Sequence, residues 1–147
     1  MKRITLPTTI FILIAALVIL LDQITKYLVR VTFPLGTTYK IFSIINITHT
    51  TNSGASFSIL TSYSFLLAVI AVFVILAIVI FYRKIPDNYR LPFALILGGT
   101  AGNLIDRICF GQVTDFINIK IWPIFNLADA AITLAAVLLI ITVWKEK

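Results

Sequence analysis

Four apolar stretches, at about residues 8–30, 64–82, 91–108 and 126–144, set the terms for what this chain can fold into. Crossing about 30 Å of hydrocarbon takes about 20 mostly apolar residues in a helix, and each stretch approaches or reaches that length. The chain is 60% hydrophobic and only 12% charged, with a mean hydropathy of +1.05. That leaves too little polar surface to coat a water-soluble globule. The expectation is a membrane α-helical protein, one domain over residues 1–147, with four transmembrane helices.

The net charge of +6 does not point to nucleic acid, because the basic residues form no single patch. They sit in short clusters at the ends of the apolar runs: Lys2-Arg3, Arg83-Lys84-Arg90 and Lys145-Lys147. With four spans all three clusters fall on one side, which the positive-inside rule makes cytoplasmic. Both termini are then cytoplasmic, and the longer segments, about 31–63 and 109–125, lie outside. The lone Cys109 excludes an internal disulfide and the lone His49 excludes a multi-histidine metal site. No metal and no organic cofactor are expected. His49 itself, in a strand-like, Thr-rich stretch, reads as a plain surface residue.

Pro34 and Gly36 end the first span. The stretch YKIFSIINITHTTNSGASF that follows is rich in β-branched and aromatic residues and reads as a small sheet. Its apolar run Ile41, Phe42, Ile44 and Ile45 is expected to rest on the membrane surface. The alternating DFINIKIW suggests one or two further short strands. In the third span Pro92 occupies the first turn, and Gly98 and Gly102, with Gly99 and Ala101, form a face of small residues that lets helices approach closely.

Against this background the acids stand out. An ionised carboxylate at membrane depth costs about 2.5–3.5 kcal/mol, so it marks a functional site by default. Four of the six acids, Asp22, Asp106, Asp115 and Asp129, fall at the outer ends of the spans or in the outer loop. Asp22 and Lys26, four residues apart, share a helix face and can pair. Asn103, Asp106 and Arg107 share the end of the third span. Asn126 opens the fourth span, with Asp129 in its next turn. Two carboxylates close together in a poorly solvated place cannot both ionise cheaply, which suits one to hold a proton and the other to act as a base. Asp115 and Asp129 flank a short segment that could fold back on itself. Asn103, Arg107 and Asn126 could orient a substrate, with Arg107 a natural partner for phosphate or carboxylate.

At these residues the sequence resembles the lipoprotein signal peptidase family, also called signal peptidase II. Five motifs stand in the family's order: LDQITK, NSGASF, GNLIDR, VTDFI and FNLADAAI. The resemblance implies that Asp115 and Asp129 are the catalytic dyad of an aspartic endopeptidase. It makes Asn103, Arg107 and Asn126 pocket residues, with Asp22, Lys26, Asn52, Gly54 and Asp106 supporting the site. It implies cleavage of signal peptides from diacylglyceryl-modified prolipoproteins just before the lipidated cysteine, in a bacterial inner or plasma membrane. It also implies that the small sheet forms an extracytoplasmic β-cradle, with an outer helix beside it. The expected partners are prolipoproteins and membrane lipids, not nucleic acid, and the expected state is a monomer. Thr114 is polar where the family often has a second apolar residue, and Ser56 replaces a common alanine.

Three other readings compete on the residues alone. The polar groups could merely join helices through buried hydrogen bonds. Asp106 and Asp129 could line the path of a proton- or ion-coupled carrier. Lys26 could serve a Ser–Lys protease, although Asp22 would hold it protonated.

Overall fold

A backbone can leave water only where its own hydrogen bonds are closed, and this chain closes them in helices. The computed structural model describes residues 7–54 and 61–146. Among these residues four helices are long and apolar enough to cross a membrane: α1 (Thr8–Thr32), α2 (Thr61–Phe81), α3 (Arg90–Phe110) and α4 (Leu127–Lys145). Their outward faces carry large apolar side chains such as Leu13, Val31, Phe65, Phe73 and Ile80, all more than half exposed. In water such a surface would aggregate; in a bilayer it is solvated.

Helix α3 is the hub, packed against α1, α2 and α4. Small residues allow this. A Cβ on Gly98 would lie 2.7 Å from the Val18 Cβ, and one on Gly99 would lie 2.6 Å from the Ala128 carbonyl oxygen. A Cβ on Gly102 would lie 2.6 Å from Asp22 Oδ2. The glycine stripe therefore seats α1 on one side of α3 and α4 on another.

Two 3-10 turns, Tyr82–Lys84 and Asp87–Tyr89, join α2 to α3. At that end Tyr82 Oη donates to Thr8 Oγ1 (2.9 Å). Asn88 Nδ2 and Tyr89 Oη donate to the two Glu146 carboxylate oxygens (2.5 and 2.7 Å). The start of α1, the α2–α3 turn and the end of α4 thus meet at one end of the bundle, with Arg83, Lys84 and Arg90.

The opposite end carries a three-stranded antiparallel sheet in the order β1-β2-β3, formed by β1 (Thr38–Lys40), β2 (Asn46–Asn52) and β3 (Val113–Asn118). In its register Thr50 faces Asp115 and Asn52 faces Val113, with a bulge between Ile47 and Thr50. The outer helix implied by the resemblance has no counterpart among the described residues. Residues 55–60, which take in the end of the NSGASF stretch and Ser56, lie outside them.

His49 corrects a sequence expectation. It is buried, 7% exposed, and its Nδ1 lies 2.6 Å from the Phe33 carbonyl oxygen. The bulge explains this: it breaks the alternation of β2, so a residue in an apparently open strand ties the sheet to the end of α1 instead.

Packing at Gly99 yields a test. Gly99→Ala drives a methyl into the α4 backbone at Ala128, where no side chain can rotate away. The expected loss is about 1–3 kcal/mol, the usual cost of overpacking, read as a lower melting temperature in detergent.

Candidate active site

The loop after β3 brings the acids together. Phe125 pairs back onto the strand: its carbonyl accepts from Phe116 N (3.1 Å) and Ile117 N (2.7 Å), and its N–H donates to the Ile117 carbonyl (3.1 Å). This closure delivers Asn126 beside Asp115. Asn126 is also the N-cap of α4, in extended conformation, with a reciprocal capping box to Asp129. One residue thereby fixes both carboxylates relative to each other.

Three asparagines are arranged by the same logic. Each has its carbonyl oxygen occupied, so its NH₂ must face a carboxylate. Asn126 Oδ1 accepts from Asp129 N (2.9 Å), and its Nδ2 donates to Asp115 Oδ1 (2.6 Å). Asn103 Oδ1 accepts from Lys26 Nζ (2.8 Å), and its Nδ2 donates to Asp129 Oδ1 (2.8 Å). Asn52 Oδ1 accepts from Gly54 N (2.7 Å), and its Nδ2 donates to Asp115 Oδ2 (3.0 Å). Gly54 takes φ +88°, which favours glycine, to close that turn. Asp115 thus has both oxygens held by amides.

Burial pushes Asp115 up to about 6 against its ordinary 3.8. The amides of Asn52 and Asn126 oppose that shift, whereas the nearby charge of Asp129 adds to it. Desolvation wins because Asp115 is only 2% exposed. Asp129, at the rim of the bundle, is half-buried.

Beneath Asp115 and Asp129 lies a fully buried ionic cluster. Lys26 and Asp22 pair at 2.8 Å, as their spacing suggests, and Lys26 reaches Asp106 at 3.5 Å. Asp22 Oδ1 also accepts from the backbone N–H of Ala128 (3.0 Å), which ties α1 to the first turn of α4. Arg107 is half-buried; its Nη1 donates to the Asn103 carbonyl (3.4 Å), and its buried Nε has no partner among the described residues.

Sequence reading overlooks three members of this cluster. Gln23 Nε2 donates to the Gly102 carbonyl (3.0 Å) and lies 3.2 Å from both Asp22 and Asp106. Arg30 Nη1 lies 3.4 Å from the Asp106 carboxylate and 3.0 Å from Thr114 Oγ1. Thr114 N donates to Asp106 Oδ2 (2.9 Å). Gln23 stands inside LDQITK and can be suspected from that motif. Thr114 stands inside VTDFI, whereas Arg30 offers no local pattern.

The family described as signal peptidase (SPase) II matches residues 14–145. This chain belongs to the signal peptidase II family. Similar proteins include two named lipoprotein signal peptidase. The one from Moorella thermoacetica is 41% identical over 133 residues, covering 88% of this chain and 89% of the relative. The one from Halothermothrix orenii is 40% identical over 138 residues, covering 92% and 95%. A solved structure described as a bacterial membrane enzyme superposes with a TM-score of 0.89 at 32% identity, covering 100% of both chains. Membership makes the chain a peptidase, multi-pass in the membrane.

Removing Lys26 should test the support under the site. Lys26→Met strips Asp22 and Asp106 of their central cation and frees Asn103 to turn its amide. Leaving buried carboxylates uncompensated costs about 3–5 kcal/mol, so the variant should melt far below wild type or fail to accumulate in the membrane. An unchanged melting temperature would refute the structural role given to this cluster.

Proposed function

We propose that this protein is an aspartic endopeptidase that cuts the signal peptide from diacylglyceryl-modified prolipoproteins before the lipidated cysteine, with Asp115 and Asp129 as its catalytic pair. The observation that carries the reading is the set of three anchored asparagines, each presenting its NH₂ to one of these two carboxylates. Polar glue between helices would need no such convergence. Lys26, fully buried and held by Asp22, Asp106 and Asn103, is unsuited to act as the free amine of a Ser–Lys protease. The acids gather at one end of the bundle, against a carrier path reaching both faces.

The chemistry follows from the two environments. Asp115, whose burial favours the proton, donates to the scissile carbonyl oxygen. Asp129 takes a proton from water, whose oxygen bonds to the carbonyl carbon. As the tetrahedral intermediate collapses, the C–N bond breaks, the leaving amine receives the proton held by Asp129, and Asp115 recovers its own. The amine product is the new N-terminus on the lipidated cysteine. Arg107 borders a cavity of about 440 Å³ with Ser53, Phe65, Ile108 and Phe110, and serves to position peptide carbonyls there. Asn52, Gly54, Asn103 and Asn126 orient the dyad, and Asp22, Lys26 and Asp106 support it.

The end bearing Arg83, Lys84 and Arg90 faces the cytoplasm by the positive-inside rule, so both termini are cytoplasmic and the dyad lies near the outer face of the bacterial inner or plasma membrane. The exposed Phe42 and Ile44 of the loop between β1 and β2, with Ile121 and Trp122, rest in the headgroup region. Substrate enters sideways from the lipid, its acyl chains contributing about 0.8 kcal/mol per buried CH₂. The site residues named here all come from one chain, which supports a monomer built as a single domain.

Two measurements test the mechanism. Asp115→Asn and Asp129→Asn, folded by melting temperature, should cleave a diacylated prolipoprotein peptide at least about 10²-fold more slowly than wild type; near-normal cleavage by either sinks the aspartic mechanism. The pH profile tests the proton assignment. Because Asp115 loses its proton above about 6, kcat/KM should fall as pH rises through that region. Asn52→Ala removes a donor that favours the ionised form, so the falling limb should move to higher pH. A limb that moves to lower pH would contradict the assignment.

A further inference from the structure

We infer that Arg30, acting through the Thr114 hydroxyl, is a positioning residue for Asp115; the inference rests on the dyad reading above. Alternate residues of a strand face opposite sides, so when Asp115 points toward Asn126, Thr114 points back toward the helices. There it is seized twice. Its N–H donates to Asp106 Oδ2 (2.9 Å) and its Oγ1 accepts from Arg30 Nη1 (3.0 Å). Thr114 is 2% exposed, so neither bond has water as a ready substitute.

Arg30 is built for this double duty. It stands in the last turn of α1, its side chain only 20% exposed, and pairs with Asp106 at 3.4 Å. Its guanidinium carbon lies 4.3 Å from the centre of the Phe110 ring at the end of α3, which fixes the plane of the fork. The guanidinium can hold Asp106 and Thr114 together because it carries several donors in one rigid plane; an ammonium on a flexible stem lacks that geometry. Arg30 also balances the cluster, setting two cations, Lys26 and Arg30, against Asp22 and Asp106. A purely ionic role would need only the charge. The bond to a neutral hydroxyl one residue before Asp115 is what that role leaves unexplained.

The experiment uses the full chain in detergent with a diacylated prolipoprotein peptide, comparing Arg30→Lys, Thr114→Val, Thr114→Ser and the Arg30→Lys/Thr114→Val double variant. Small displacements of a catalytic group are costly in rate. Thr114→Val, which keeps the shape and loses the hydroxyl, should lower kcat about tenfold with KM near wild type, and its melting temperature should fall only modestly, by the loss of one buried hydrogen bond. Thr114→Ser should recover most of the rate. Arg30→Lys keeps a charge for Asp106, so its melting temperature should fall no further than that of Thr114→Val while kcat is lost as in Thr114→Val. The double variant should be no slower than either single variant, because both break one bond. A Thr114→Val enzyme with wild-type kcat, or single losses that multiply in the double variant, would overturn the inference. Asp115→Asn, run alongside, reports separately on the dyad: if it cleaves normally, the dyad reading has failed regardless of the other variants.

Discussion

The Lys26 ammonium, fully buried between Asp22 and Asp106, is the interaction on which the remaining architecture depends. A charge in that position is tolerable only if every partner arrives together. The partners come from different elements: Asp22 shares α1 with Lys26, whereas Asp106 and Asn103 come from α3. Asp22 in turn receives the first turn of α4 through Ala128 N. The cluster therefore sets the depth and rotation of three helices at once, which apolar packing in lipid does weakly because lipid tails are as apolar as leucine. The glycine stripe of α3 complements it. Gly102 lets Asp22 approach α3, so backbone spacing and charge pairing are parts of one contact.

From that base, order passes upward to Asp115 and Asp129 through asparagines rather than charges. Asn103 is the hinge between the two layers, with its oxygen on Lys26 and its amide on Asp129. A neutral side chain here transmits orientation from Lys26 to Asp129 without adding a further charge. Asn52 and Asn126 do the same for Asp115, with their oxygens tied to backbone N–H groups. Burial pushes the Asp115 carboxyl up to about 6, and the two amides moderate the rise.

The sheet is more than a cover. β3 carries Asp115, the pairing of Phe125 onto Ile117 delivers Asn126, and β2 supplies Asn52. The strand is fixed from behind at Thr114 by Asp106 and Arg30, so the buried cluster governs both carboxylates: Asp129 through Asn103, and Asp115 through β3. His49, turned inward by the β2 bulge, secures the sheet to the end of α1.

The membrane class, the four spans and the presence of a small sheet are legible in the sequence because each depends on local composition and period: apolar length for the helices, β-branched content and turn chemistry for the strands. The Asp22–Lys26 pair is legible for the same reason, since i, i+4 spacing forces two residues onto one helix face. The five motifs single out Asp115 and Asp129 only through the family resemblance. What the sequence leaves open are contacts between residues far apart in the chain. Arg30 to Thr114 spans 84 positions and Asn52 to Asp115 spans 63. Neither leaves a local signature, because their proximity is created by how α3 seats its neighbours and by the loop that folds Phe125 onto β3. The direction of each asparagine amide is likewise settled only when its oxygen finds a partner in the assembled bundle. The sequence by itself determined the solvent this chain lives in, its helices and its chemical groups; tertiary structure decided their convergence, because only packing brings a buried charge and its distant partners within hydrogen-bond reach.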